Sequence, residues 1–254
     1  MKKTIILCIC VVLCIALVLL VSWEIIKSAS AKKLIQAIEN EDVQEVNLLL
    51  EKGVNPNTPY GFTNRYVISF LESSPKYPLS VACRTGNLEI VKLLLSYGAT
   101  PANWGEYMGW SPLAETLFYY HPDDIQIVQL LLENGADISQ KESDWLPAFR
   151  ASRMYPKKFD KSKANGTVFS TDYDKETANG ITEIFKLLLG DLDVNDQTSN
   201  QTTFLMNAAM HGNQALVEYL LSIEADASLK DAFGKTAYDY AIENGYTEIA
   251  ELLQ

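Results

Sequence analysis

Positive charge, histidine and usable cysteine are all in short supply in this chain. Its 254 residues carry 21 Lys or Arg against 32 Asp or Glu, a formal charge of −11. Phosphate contacts need a basic patch, so the composition argues against a nucleic-acid interface. Only His121 and His211 supply imidazole, and three of the four cysteines, Cys8, Cys10 and Cys14, sit in one apolar stretch near the start. Cys83 is left without an internal disulfide partner and reads as a small core residue. No P-loop, G-x-G-x-x-G run, C-x-x-C pair or G-x-S-x-G elbow is present. Asp172 and Asp174 come nearest to an acid–base pair, but they lie in a polar stretch where carboxylates are ordinarily solvated. No metal, cofactor or catalytic activity is expected.

Long apolar runs are also absent, with one exception. Ile5 to Trp23 contains no charge, no Gly and no Pro, and Lys2 and Lys3 precede it. These nineteen residues, all apolar but Ser22, come close to the roughly 20 that cross a bilayer as a helix. The run exceeds the usual apolar core of a signal peptide, although Ala29-Ser30-Ala31 has the small-x-small form of a cleavage site. Residues 1–30 are therefore expected to form a signal-anchor or transmembrane helix, with residues 5–26 in the membrane. The alternative is a secreted or periplasmic body after cleavage near Ala31. Lys27, Lys32 and Lys33 nearly balance Lys2 and Lys3, and the short basic tail tips the expected orientation toward repeats outside the cytoplasm.

What is abundant is repetition. Leu48-Leu49-Leu50 leads to Gly53-Val54-Asn55, Leu93-Leu94-Leu95 to Gly98-Ala99-Thr100, and Leu130-Leu131-Leu132 to Gly135-Ala136-Asp137. Leu187-Leu188-Leu189 and Tyr219-Leu220-Leu221 repeat the phrase, the latter leading to Glu224-Ala225-Asp226. Asp193 and Asp226 are 33 apart, as are Thr203 and Thr236. A repeated unit of this length builds a solenoid in which each copy buries surface against its neighbours.

Asp231-Ala232-Phe233-Gly234-Lys235-Thr236-Ala237-Tyr238-Asp239-Tyr240-Ala241 resembles the ankyrin phrase D-x-x-G-x-T-P-L-H-x-A, with Ala237 and Tyr238 replacing Pro and Leu. Gly109-Trp110-Ser111-Pro112-Leu113 keeps the turn and proline. Pro78-Leu79-Ser80-Val81-Ala82 followed by Gly86-Asn87-Leu88-Glu89-Ile90-Val91 keeps the two helices. The resemblance implies an all-α ankyrin-repeat solenoid over residues 31–254, of about six helix-turn-helix units, preceded by the one transmembrane helix. The units begin near Ala31, Lys76, Gly109, Trp145, Thr202 and Gly234. Thr or Ser should cap each first helix with Pro in its first turn, and Ala82, Ala208 and Ala241 should let neighbouring first helices approach. Glu243, Glu248 and Glu251 should give the last unit a polar end.

Two insertions interrupt the period. Pro147 to Ile184 spans 37 residues where Pro78 to Ile90 spans 12, which places extra chain at about 152–177, with a composition that suits a loop or hairpin. The leucine triplets at 48 and 93 are 45 apart, so a second insertion falls at about 58–74; Tyr60, Phe62, Tyr66 and Phe70 make it too apolar for a flexible linker, and a short packed helix is expected.

In ankyrin repeats the turn tips and the exposed side of the first helices usually contact a ligand. The resemblance places Trp110 and Trp145 at stacked tips of units three and four, with Trp104, Tyr107 and Met108 just before Trp110. Phe118, Tyr119 and Tyr120 are placed toward the end of the unit-three first helix, and Arg150 in unit four. Trp, Tyr, Met and Arg are favoured at interface centres. The expected binding surface is therefore Trp104, Tyr107, Met108, Trp110, Tyr119, Tyr120, Trp145 and Arg150. The competing reading is that these aromatics pack tip against tip. His121-Pro122-Asp123 reads as the turn of a stretched hairpin. The expected function is a membrane-tethered protein–protein interaction module, scaffold or inhibitor, with a protein partner. The alternative is an enzyme accessory or weak hydrolase using the unit-four insertion.

Overall fold

A computed structural model describes residues 27–60, 75–101, 111–139, 146–159, 167–169 and 174–254. Helices among them alternate in two rows and pair as hairpins. The first two pairs are α1 (27–39) with α2 (Val43–Glu51), and α3 (Pro78–Thr85) with α4 (Leu88–Ser96). The next two are α5 (Pro112–Thr116) with α6 (Asp124–Glu133), and α7 (Pro147–Ala151) with α8 (Lys175–Leu189). The last are α9 (Phe204–His211) with α10 (Gln214–Ser222), and α11 (Ala237–Glu243) with α12 (Thr247–Leu252). First helices touch first helices and second helices touch second helices along the array. This is the stacking that the ankyrin resemblance implies.

Local chemistry sets where each helix starts and stops. The Thr203 hydroxyl accepts from the Met206 amide, Thr236 from Asp239 and Ser111 from Ala114, each satisfying an orphan amide of a first turn. Units two and four have Tyr77 and Leu146 in that place, without a side-chain cap, and rely on Pro78 and Pro147 in the first turn. Asp42, Asn87, Asp174 and Asn213 cap second helices in the same manner. Gly86 and Gly212 end α3 and α9 with φ of 73° and 78°.

The core is one continuous strip. In units two to five the central leucine of each triplet, Leu94, Leu131, Leu188 and Leu220, is fully buried, each contributing about 1.5–3 kcal/mol. Ala82, Ala208 and Ala241 are fully buried between first helices, as expected of small residues there. Phe204 stacks on Phe149 with ring centroids 4.1 Å apart and meets Phe185 edge-on at 5.2 Å, which joins α7, α8 and α9.

The structure departs from an all-α expectation in one place. Helices α5 and α7 have five residues each where α3 and α9 have eight. Strand β1 (Tyr119–Tyr120) follows α5, and β2 (Tyr155–Phe159) and β3 (Thr167–Phe169) follow α7. They form one sheet in the order β1-β2-β3, with β1 parallel to β2 and β2 antiparallel to β3. Aromatic and β-branched residues fit a pleated surface better than a helix end, and the insertion supplies the backbone partner. Tyr119 and Tyr120 are thus strand residues, not the end of the unit-three first helix.

The apolar run Ile5–Trp23 lies outside the described residues, and among those described no helix is long and apolar enough to cross a membrane. The helix expected at 58–74 lies mostly outside them as well. At its two ends, Tyr60 and Lys76 exchange backbone hydrogen bonds of 2.9 and 2.8 Å.

Candidate protein-binding surface

The described turns leading into units two, four, five and six are built from short polar side chains that fold back on their own backbone. Asn55 accepts from the Asn57 amide, Asp137 from Ser139, Asp193 from Asn195 and Asp226 from Ser228, all at 2.8–2.9 Å. Further bonds tie one tip to the next. Asn57 donates to the Gly98 carbonyl at 2.8 Å and accepts from the Thr100 amide at 3.0 Å. Asn195 accepts from the Asp226 amide at 2.8 Å, and the Ala232 amide donates to the Asn200 carbonyl at 3.0 Å. These bonds tie the described turns into two pairs, that of Asn57 with Gly98 and Thr100 and that of Asn195 and Asn200 with Asp226 and Ala232.

The unit-six tip is organised around Asp231, whose carboxylate accepts from the Phe233 and Lys235 amides at 2.9 Å and from the Tyr240 hydroxyl. Burial opposes its ionisation, but the hydrogen bonds from Tyr240, Lys235 and Phe233 outweigh it and hold the carboxyl below its usual range. Burial, with the Asp231 bond second, pushes the Tyr240 hydroxyl up to about 12. Lys235 spans from its cap to Glu243 at 2.6 Å.

Of the expected surface residues, Trp104, Tyr107, Met108, Trp110 and Trp145 lie outside the described residues. Tyr119 is in β1, paired with Tyr155 in parallel register. Tyr120 pairs with Pro156 and is half-buried against the core. Its ring stands over Gly180 of α8, where an added Cβ would come within 2.0 Å of the hydroxyl oxygen. Burial raises its pKa, and the carboxylates of Asp124, Glu176, Asp174 and Asp123 add to the shift. Arg150 is half-buried on α7, beside the buried Phe149 and Ala151. Tyr119 and Tyr120 follow the end of α5 while Ser111 caps its start, so they belong to the end of the hairpin away from the tips. Phe233 was missed: it is 75 % exposed at the unit-six tip. Its signal was an aromatic inside the Asp231-to-Gly234 turn, where polar residues are usual.

The histidines and Cys83 occupy buried joints between units. His121 Nδ1 lies 3.3 Å from Asp124 Oδ2, its amide donates to the same oxygen at 2.6 Å, and its ring covers Gly86. Asp124 is fully buried, which raises its pKa against the lowering effect of His121. Cys83 is fully buried too, and burial pushes its thiol far above the ordinary value, opposite to the shift that makes a nucleophile. His211 Nδ1 donates to the Asn207 carbonyl at 2.7 Å, and Asn207 donates to Ser152 Oγ at 3.1 Å, forming a buried polar link between units four and five. Away from the tips, a groove of about 730 Å3 runs across the first turns of α8, α10 and α12 between Lys175, Asn179, Gln214, Glu218, Tyr246 and Glu248.

Comparison with known proteins agrees with this geometry. The family model described as "Ankyrin repeats (3 copies)" matches residues 34–142 and 176–254, well over half of the chain. A stretch covering 52 % of the chain is 26 % identical to alpha-latrotoxin-Lg1a of Latrodectus geometricus, although it spans only 8 % of that protein. The ankyrin repeat protein YahD of Escherichia coli (strain K12) is 26 % identical over 68 % of the chain and 92 % of its own length. An ankyrin repeat protein of Rickettsia bellii (strain RML369-C) is 27 % identical over 44 % of the chain and 51 % of its own length.

Proposed function

The chain belongs to the ankyrin-repeat family, and from that premise we propose that its repeats form a membrane-tethered module that holds a partner protein at the tips of units three and four, as a scaffold or an inhibitor. Ankyrin repeats make it a protein–protein interaction module; the tether, the surface and the role are the further reading. The observation that carries it is the bonding of neighbouring turns before and after these units, in which Asn57 and Asn195 bind the following turn. A surface that is rigid before binding loses little conformational entropy on contact, so aromatic side chains mounted on it retain most of their contact energy. Trp104, Tyr107, Met108, Trp110 and Trp145 supply those side chains, with Arg150 of α7 beside them.

Residues 5–26 serve as the anchor, with the repeats outside the cytoplasm, and anchoring concentrates the partner at the bilayer. Retention is favoured over cleavage because Ala31 lies inside α1 and is only 1 % exposed. Cleavage there would cut a helix whose Leu34, Ile35 and Ile38 belong to the core.

Affinity capture from membrane extracts, with the full chain as bait, tests the surface. Replacing both Trp110 and Trp145 by Ala should weaken capture at least tenfold while leaving the helical melt unchanged. A collapsed melt would assign the tryptophans to packing instead. A reporter active only in the cytoplasm, fused after Gln254, should stay silent, and activity would reverse the orientation.

A further inference from the structure

Four residues after the first residue of α3, α5, α7 and α9 stand Ala82, Thr116, Ala151 and Ala208. Cys83, Leu117, Ser152 and Ala209 follow them, and all eight are at most 2 % exposed. The register therefore holds to the ends of these helices, the shortened ones included. The next residue turns to water in each unit. It is Arg84 in unit two, Phe118 in unit three, Arg153 in unit four and Met210 in unit five. Phe118 is 43 % exposed and Arg153 is exposed, while Arg84 and Met210 are half-buried. Because α3, α5, α7 and α9 stack in order, the four residues form one row across four units. Glu39 of α1 stands two residues before the left-handed Glu41, as Arg84 does before Gly86. Its carboxylate lies 3.9 Å from the Arg84 guanidinium, so neighbours in this register meet.

The row alternates a guanidinium with an apolar side chain at the spacing of stacked helices, about 8–10 Å. A polyproline II strand turns once in three residues at about 3.1 Å each, so every third side chain returns to the same face roughly 9 Å further on. We propose that this row is a second docking surface, separate from the tips, and that its occupant is an extended, proline-rich segment of a partner protein with the pattern acidic-x-x-apolar-x-x-acidic-x-x-apolar. Its acidic residues meet Arg84 and Arg153, and its apolar residues meet Phe118 and Met210. Charge selects the acid. The first helices of units two to five, with the turns that end them, carry three arginines, Arg84, Arg150 and Arg153, against one carboxylate, Glu115. Glu39, at the edge of the row, is held by Lys76 at 2.5 Å. The chain as a whole is acidic, but repulsion from its distant carboxylates is screened beyond about 8 Å at physiological salt. Arginine and carboxylate in contact form a charge-assisted, bidentate pair. A segment that proline has already extended loses little entropy on docking.

The test uses the full chain in neutral phosphatidylcholine nanodiscs, with empty discs subtracted. The probe is a dye-labelled decapeptide, Glu-Pro-Pro-Leu-Pro-Pro-Glu-Pro-Pro-Leu. One control is an isomer of the same composition without the three-residue repeat, and another carries Lys in place of both Glu. The repeat peptide should bind at least tenfold more tightly than either control and slow amide exchange at the ends of α3, α5 and α7. Binding should weaken at least tenfold in R84Q/R153Q and at least threefold in F118S, both with an unchanged melt, and should weaken with added salt. The W110A/W145A variant should bind as the parent does, because the row stands apart from the tips. Absence of binding, equal binding by either control peptide, or unchanged binding in both R84Q/R153Q and F118S would overturn the proposal. So would loss of binding in W110A/W145A, or protection located elsewhere on the chain. Capture of the discs by phosphatidylserine vesicles, abolished in R84Q/R153Q and without peptide binding, would assign the arginines to a lipid surface and overturn the peptide reading.

Discussion

Units two and five differ sharply from units three and four. In the first group an eight-residue first helix runs to a left-handed glycine, Gly86 or Gly212, and the chain turns directly into an Asn-capped second helix. In the second group the first helix stops after five residues and the chain departs into β1 or β2. All four keep Pro or Phe at the first helical position and a buried central leucine on the second helix. A repeat can therefore give up three residues of its first helix while its core leucine stays buried and strand pairing takes over after it. What must be conserved in geometry is the interface with the next unit, not the length of the rod.

The joint between the groups is the place to break this contrast. Phe204 of the regular unit five is fully buried against Phe149 and Phe185 of the irregular unit four. Phe204→Ala should cost about 3–5 kcal/mol in urea denaturation. A cost near zero would mean that the groups are only loosely joined.

Gly180 sharpens the contrast on the other side. It lies within α8, where alanine would ordinarily be favoured, but a Cβ there would collide with the Tyr120 ring. Gly180→Ala should destabilise by about 1–3 kcal/mol through overpacking. In a Tyr120→Ala background the same change should instead stabilise, by up to about 1 kcal/mol from helix propensity. Failure of the sign to reverse would show that Tyr120 does not bind the inserted sheet to α8.

Glu224 is the irregularity of a regular unit. It takes φ of 66° at the position held elsewhere by Gly53, Gly98 and Gly135. Glu224→Gly should raise stability by about 1 kcal/mol, measured as an upward shift of the thermal midpoint.

The smallest effect concerns His211. Burial lowers its pKa, so the folded chain refuses a proton that the unfolded chain accepts. Its stabilisation is complete above the unfolded value, about 6.5, and declines as pH falls through the lower folded value. His211→Gln should show less loss of stability between neutral pH and pH 5, and an unchanged slope would place the acid sensitivity elsewhere.

Much of the regular architecture is legible in the chain because its signals are local. Thr203, Thr236 and Ser111 mark helix starts by hydrogen bonds that reach only three residues, and Pro112 does so by its fixed φ and absent amide proton. The leucine triplets mark buried faces by spacing alone. The inserted sheet is not legible in that way, since Tyr119 becomes a strand only because Tyr155, 36 residues later, lies alongside. Gly180 gives no warning for the same reason: its partner Tyr120 is 60 residues away. Of the surface itself, residue type points to Tyr119 and Tyr120, while their strand pairing depends on chain that sequence spacing treats as an excursion.

The parallel pairing of β1 with β2 has a mechanical consequence. Backbone hydrogen bonds fasten the exit of the unit-three first helix to the exit of the unit-four first helix, so tension on the termini cannot extend one without the other. When the full chain is stretched in a single-molecule trap, the outer hairpins should peel away in steps one unit long. The middle pair should then yield together, as a single rupture at higher force and twice the length.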